Sequence, residues 1–417
     1  MPVAPSAAPT TSARRLTVSF YLYAFLDEFV LLYPVYALLF TDTGLSVAQI
    51  SSLFVIWSLT GIVLEVPSGV WADAVSRRLL LAGAPLLGAV GFGLWVVAPS
   101  YWAFALGFVL WGARGALQSG AAEALLFDEL DRLGVADRYG RVIGRASTIG
   151  LLAALLAIAV AGPVFAAGGY VAVGAASVLA SLLCAVVGLT LPEHRAPVPV
   201  GGPGGKTANP GSPGYLAILR SALAEARQNP GVRRALLLLP AMLGIWGALE
   251  EYVPLLAGAV APASGVPLLV LLVWLGVMLG GLLTPIGQRL PAGRFAVTVG
   301  AAPLALALGA LTNRPAGFVL VAAAFCVLQM ASLVADVRLQ ESIGGSARAT
   351  MTSLAGLGTE LVTIGVYGGY ALASTVAGHG TIFALFALPY LALAVALRRA
   401  GPPAEPGSDA REGVETN

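Results

Sequence analysis

Eleven apolar stretches long enough to cross a bilayer run through this chain, and a twelfth makes the count even. Each holds about 20 residues with few charges, the length a helix needs to span the hydrocarbon core. The spans are expected near 17–40, 48–70, 79–98, 101–126, 143–165 and 170–191, and again near 234–257, 266–287, 295–312, 316–336, 350–374 and 380–398. One long connection, 192–233, divides them six and six. The expected architecture is all-α and integral to the membrane. It has an N-terminal six-helix bundle over 17–191, a cytoplasmic linker over 192–233 and a C-terminal bundle over 234–398. Residues 1–16 are rich in Ala, Pro, Ser and Thr and lack a cleavage site, so they read as a disordered cytoplasmic tail, not a signal peptide. Residues 399–417 form the second tail. Within the linker, Pro197 to Pro213 reads as flexible. Tyr215, Leu219, Ala222 and Ala226 share one helical face, which suits either a short amphipathic helix on the inner leaflet or a solvated linker helix.

Carboxylates interrupt the apolar pattern in matched places. Asp27 and Glu28 stand inside the first span and Glu250 and Glu251 inside the seventh. Phe25-Leu26-Asp27-Glu28-Phe29-Val30 aligns with Ala248-Leu249-Glu250-Glu251-Tyr252-Val253, acid for acid. Looser echoes follow in the same order. Arg77-Arg78 with Leu79 to Pro85 matches Arg294 with Val297 to Pro303, and Gly144-Arg145-Ala146-Ser147 matches Ala347-Arg348-Ala349-Thr350. Six helices followed by six in the same orientation imply a parallel repeat about an axis normal to the membrane. A charge at the bilayer centre costs at least ~2.5 kcal/mol, so such residues point to function.

Composition and charge then narrow the class. Hydrophobic residues make up 58% of the chain and charged ones 11%, against roughly 25% charge in soluble domains. A water-soluble enzyme is excluded. If the tails and every even-to-odd loop are placed in the cytoplasm, all lysines and arginines fall there except Arg314 and the intramembrane Arg114. That asymmetry follows the positive-inside rule. Cys184 and Cys326 sit in apolar stretches, so neither a disulfide framework nor a thiolate metal site is indicated. His194 and His379 fall in expected loops. No phosphate-cradling glycine loop with a lysine is present, which argues against ATP-driven transport.

The residues Gly69-Val70-Trp71-Ala72-Asp73-Ala74-Val75-Ser76-Arg77-Arg78 resemble the signature between the second and third helices of the major facilitator superfamily. Gly69, Asp73, Arg77 and Arg78 match, while Ala74 and Ser76 replace an expected Arg and Gly. The resemblance extends over about 17–398 and implies two pseudo-symmetric six-helix bundles around a central cavity. Those four residues would then form a conformational latch. Leu110 to Gly120, with Arg114 and Gln118, resembles the fourth-helix motif of the superfamily, and Gly162-Pro163 is similar to the fifth-helix motif of its antiporter branches.

Counting Glu65, Glu123 and Glu360 with the paired acids, the spans hold many more carboxylates than the single Arg114 can balance, and they cannot all be ionised there. Groups that take and lose a proton near neutrality are what proton coupling needs. Asp27, Glu28, Glu250, Glu251 and Glu360 are the candidates, with Asp27 the first choice. Arg114 is expected half-way along its helix as their charge partner. Tyr23, one turn before Asp27, shares its face. Trp246 and Tyr252 are the preferred cavity aromatics among a set that includes Tyr33, Tyr36, Trp57, Trp111 and Trp274.

The reading, resembling the drug:proton antiporter branches, is a monomeric secondary transporter of the cell membrane with both termini cytoplasmic. It would couple protons to efflux of a small hydrophobic or cationic compound, with proton-coupled uptake of a metabolite as the alternative. Its partners are substrate, protons and lipid, without nucleic acid, cofactor or metal. A polytopic membrane enzyme is the rival from another class, and it lacks the polar catalytic loop that it would need.

Overall fold

A computed structural model describes the backbone of residues 8–194, 230–342 and 348–399. The side chains of 8–10, 65–74, 230–237, 341–342, 348–350 and 396–399 fall outside that description. The amphipathic stretch expected around Tyr215 lies outside the described residues, as do both chain ends.

Fourteen α-helices are described. The first half holds α1 (Ala8–Glu28), α2 (Tyr36–Asp42), α3 (Val47–Ala74), α4 (Arg77–Val97), α5 (Tyr101–Gln118), α6 (Ala121–Arg132) and α7 (Tyr139–Thr190). The second half holds α8 (Pro230–Glu250), α9 (Val253–Gly258), α10 (Val266–Arg289), α11 (Ala292–Leu311), α12 (Phe318–Ser342), α13 (Arg348–Ala373) and α14 (His379–Arg399). Six of them (α3, α4, α7, α10, α11 and α12) are long and apolar enough to cross a membrane by length and composition.

Several boundaries differ from those expected. The first helix begins at Ala8, inside the segment read as a disordered tail, and buries Ala13 and Leu16. Those two, spaced by three, extend the inward face of α1 by a further turn. The fourth span is broken. Gly120, at φ +72°, turns the chain between α5 and α6, a conformation open to glycine at little cost. The fifth and sixth spans run on as α7 with only Gly168 and Gly169 departing from helical angles. The chain nevertheless folds back there. Gly150 packs on Ala24 and Glu28, while Cys184, past the glycines, lies against Tyr23. His379 is no loop residue; it opens α14, with Nδ1 2.7 Å from the Tyr370 hydroxyl.

The first and seventh spans are broken at equivalent points. α1 ends at Glu28 and α8 at Glu250, and a short helix resumes each path. Proline explains both interruptions. Pro34 and Pro254 lack an N–H, and each ring would strike the carbonyl four residues back, at Val30 and Glu250 respectively. A backbone donor freed by the first break is recovered by a side chain, since Leu32 N–H donates to Ser177 Oγ at 3.1 Å.

The packing obeys the repeat. α1 against α7, α3 against α5, and α4 against both α5 and α7 correspond to α8 against α13, α10 against α12, and α11 against both α12 and α14. The halves touch through α3 with α13 and α7 with α10. They close at the end remote from Arg77, Arg132 and Arg289. There Leu38 meets Gly258, Ser51 Oγ lies 2.7 Å from the Tyr252 hydroxyl, and a Cβ on Gly162 would approach the Ser264 carbonyl to 3.1 Å. Toward the arginine-bearing end the halves enclose a cavity.

Candidate functional site

The central cavity has a volume of about 600 Å3 and lies where the broken helices stop. Its walls come from both halves: Asp27 and Glu28 of α1, Trp57 of α3, Trp111 and Arg114 of α5, Glu251 after α8, and Glu360 and Tyr367 of α13. A smaller cavity of about 230 Å3 shares Tyr33, Trp57, Trp111 and Glu251 with it and adds Glu250 and Trp274.

On one wall Arg114 donates from Nη2 to Asp27 Oδ1 at 2.5 Å and to the Asp27 carbonyl at 2.6 Å. The Arg114 side chain is 4% exposed and that of Asp27 19%. A guanidinium so enclosed needs a carboxylate, and this one has it. Gln118, one turn on along α5, donates to Asp27 Oδ1 at 2.7 Å and to the Tyr23 hydroxyl at 2.9 Å. Tyr23 itself donates to the Leu81 carbonyl. Tyr23 therefore reaches Asp27 through Gln118, not directly. Arg114 Nη1 has no hydrogen-bond partner among the described residues and rests on Gly88 of α4, where a Cβ would come within 3.0 Å of it. Arg114 stands one turn from the end of α5, not half-way along, because the span breaks at Gln118.

The remaining acids are placed differently. Glu28 lines the cavity with its side chain against Gly150 and has no hydrogen-bond partner among the described residues. Glu251 accepts a hydrogen bond from the hydroxyl of Tyr36 on α2, so it is tied across the interface between halves. Asp27, the first choice for a titrating group, is thus the acid most fully engaged by a permanent positive charge.

The aromatic expectations need correction. Trp246 does not line either cavity; it is buried with Nε1 donating to Ser332 Oγ of α12 at 3.0 Å. Tyr252 is wholly buried, stacked on Tyr370 with ring centroids 3.6 Å apart, and its hydroxyl meets Ser51. It seals the closed end. The cavity is lined instead by Tyr33, Trp57 and Trp111, with Trp57 and Tyr33 each stacked on Trp111 at 4.9 and 5.3 Å. Gly88 carries a contact that the sequence reading gave no role, while Tyr36, expected only among the cavity aromatics, and Gln118, expected only within the fourth-helix motif, bind Glu251 and Asp27. Pro34 and Pro254, each a few residues past an acid pair, were the available sign that both helices stop there.

Of the expected latch, Gly69 and Asp73 lie outside the described side chains. Arg77 pairs with Asp128 of α6 at 2.5 Å. Glu193 accepts from the backbone N–H of Arg77 at 2.8 Å and from that of Arg78 at 3.3 Å, capping the start of α4 from the end of α7. Glu129 is buried and binds both Arg132 and His194.

Two bundles, helices broken at paired acids and a cavity between them agree with the family match. The model of the Major Facilitator Superfamily matches residues 17–362. The chain belongs to the Major Facilitator Superfamily. No curated protein matches it by sequence. Among solved structures, the nucleoside transporter NupG (D323A mutant) superposes with a TM-score of 0.69 at 15% identity, over 92% of this chain and 98% of that one. A bacterial homologue of the human lysosomal transporter Spinster, inward-facing and unoccupied, gives 0.66 at 16% over 94% and 97%. A D-xylose-proton symporter gives 0.63 at 14% over 95% and 98%. At such identities the similarity shows the major facilitator fold. The protein is accordingly a multi-pass membrane transporter, not an enzyme.

Proposed function

We propose that this major facilitator exchanges protons for a small organic cation and works as an exporter, with Glu28 as the shared binding group. The carrying observation is the contrast between Asp27, neutralised by Arg114, and Glu28, which faces the same cavity without a partner of its own among the described residues. An open carboxylate beside Trp57 and Trp111 suits a cation, since the faces of aromatic rings attract positive charge by about 0.5–2 kcal/mol. Protonation of Glu28 removes the attraction, so proton and substrate compete, which is the requirement for antiport. Gly162-Pro163 in α7 accords with the antiporter branches that the sequence resembles.

The protein in this reading has twelve crossings: the six long helices, of which the folded-back α7 crosses twice, plus the five interrupted or shorter spans. The two bundles rock about the cavity between inward- and outward-open states. The state described here is closed away from the arginine-bearing face. By the positive-inside rule that face is cytoplasmic, with the termini and the linker. Gly69, Asp73, Arg77 and Arg78 act as the latch of the opposite state. The working unit is a monomer. Cysteines placed at Gly204 and Ser408 should resist an impermeant thiol reagent added to whole cells; prompt labelling would reverse the orientation.

The deciding experiment uses inverted vesicles with a proton gradient, acid inside, and a radiolabelled tetraalkylammonium. Uptake against its gradient is expected in the wild type and lost in Glu28→Gln, together with most of the affinity for the cation, because the amide stands for the protonated acid that no longer attracts it. Movement of substrate in the same direction as protons would replace antiport by uptake symport. Unchanged uphill transport in Glu28→Gln, and in the corresponding variants of Asp27, Glu250 and Glu251, would remove proton coupling through these acids.

A further inference from the structure

A third cavity, of about 510 Å3, lies off the central one. Asp27, Glu28 and Gln118 line both, so the two meet at Glu28. Beyond that end the walls are mostly apolar, with Phe20, Tyr23 and Ala24 of α1 on one side, Ile143, Leu151 and Ala154 of α7 on the other, and Trp274 as the residue from α10. Its position follows from how α7 and α10 separate. Gly162 lies against Ser264 and Pro267, and Ile158 and Trp274 share a cavity wall. Farther toward the arginine-bearing end Ser147 is exposed and Ile143 half-buried, while Gly150 packs on Ala24 and Glu28 of α1 at the back of the cavity. Leu152 and Leu156 on α7 and Leu279 and Leu282 on α10 are exposed, so the cleft is bordered by surface of the kind that meets lipid chains.

From this geometry we propose that the cleft between α7 and α10 is a lateral entrance from the bilayer. It takes the apolar tail of an amphiphilic amine whose ammonium group reaches Glu28. The chemistry at its two ends fits such a molecule and no simpler one. The inner end offers a carboxylate without a hydrogen-bond partner among the described residues, while the outer end offers methyl and methylene groups, where each buried CH2 of a tail contributes about 0.8 kcal/mol. A hydrophilic cation has no use for that apolar wall, and a neutral hydrocarbon gains nothing from Glu28. The inference rests on the reading of Glu28 as a cation site.

Its test does not depend on turnover. The full chain in phospholipid vesicles is irradiated with dodecyltrimethylammonium carrying a diazirine at the chain terminus, and the adducts are mapped. Adducts are expected on the 143–154 face of α7 and on Trp274, and excess unlabelled dodecyltrimethylammonium should suppress them. Leu151→Trp fills the cleft and should cut the protectable labelling about tenfold, because losing even two buried methylenes costs a factor of that order. Should Leu151→Trp fail to fold, Ser147→Trp serves, since Ser147 is exposed and its side chain bonds only within its own helix. Protectable adducts confined to central-cavity residues such as Ser58, Gly61 and Thr363, or labelling of the cleft undiminished by the tryptophan, would overturn the entrance. Cleft labelling that persists in Glu28→Gln and ignores tetramethylammonium would keep the entrance and overturn the cation reading instead.

Discussion

Asp27 and Glu28 close α1 as Glu250 and Glu251 close α8, yet a buried arginine of the same half holds Asp27, whereas a tyrosine of the other half holds Glu251. The two halves share a break after the acids, produced by prolines that stand at different positions of the repeat, and leave the partners to other helices. In the first half, α5 supplies Arg114 and Gln118. In the second, the corresponding α12 supplies Ser332, which binds Trp246 and not an acid. Asp27 is therefore part of the internal fabric of a bundle, while its neighbour Glu28 faces the cavity. Glu251 spans the interface between the halves. The two engaged acids are not counterparts in the repeat, since Asp27 aligns with Glu250 and Glu28 with Glu251, and they bear on different equilibria, one on folding and one on conformation.

The sharpest way to break this contrast is Arg114→Gln. It leaves Asp27 beside a neutral group in a half-enclosed site, and removing one partner of a buried pair costs about 3–5 kcal/mol. A large fall in the thermal midpoint of the detergent-solubilised protein is expected. Asp27→Asn combined with Arg114→Gln should recover part of it. A double variant as unstable as the sum of the singles would mean that the two side chains do not act as a pair.

Tyr36→Phe addresses the other pair. A hydrogen bond to a charged group contributes about 1.5–3 kcal/mol, and this one exists only while the halves are closed at that end. The thermal midpoint should move little, while the population open at that end rises about tenfold or more. Spin labels replacing Thr43 and Ala259, outside the contacts described, report it as a longer distance in the distribution. An unaltered distribution would place the closing energy elsewhere, with Ser51 and Tyr252 as the next pair to separate.

Gly88→Ala sharpens the comparison further. The added methyl would stand 3.0 Å from Arg114 Nη1 and 3.1 Å from its Cδ, and overpacking of this kind costs about 1–3 kcal/mol. Stability should fall, with the Tyr36–Glu251 side untouched. The smallest effect is expected from Trp246→Phe, which removes one hydrogen bond to Ser332 at about 1 kcal/mol and should leave substrate affinity unchanged, because the ring lines neither cavity. A marked loss of affinity would return Trp246 to the binding site.

Much of this was legible in the chain because it depends on period and repetition. Helix-length apolar runs give the fold, and the aligned acids locate the centre. Arg114 had to find a carboxylate, and it did. What the chain hid depends on the path of neighbouring helices. Tyr36 was one aromatic among many until the proline-broken helix turned it toward Glu251. Trp246 and Tyr252 flank the acids in sequence, but Trp246 lies on the face of α8 that meets α12, and the break after Glu250 carries Tyr252 onto Tyr370 of α13. The start of α1 was hidden for another reason. Ala8 to Arg15 is too polar to look like a span, yet the burial of Ala13 and of Leu16 just beyond it seats the turn.

The fold-back at Gly168 and Gly169 gives α7 a mechanical character of its own. Its two limbs are joined by two residues and gripped along their length, one by α1 and the other by α4, with Gly188 against the Leu81 carbonyl and Gly174 against Val96. Such a part behaves as a wedge with a single apex. Contacts of both limbs with α1 and α4 therefore couple a tilt of the limb facing α10 to its twin. The gap bordered by Leu151 and Trp274 then widens or narrows as a direct gauge of how far the whole N-terminal bundle has turned.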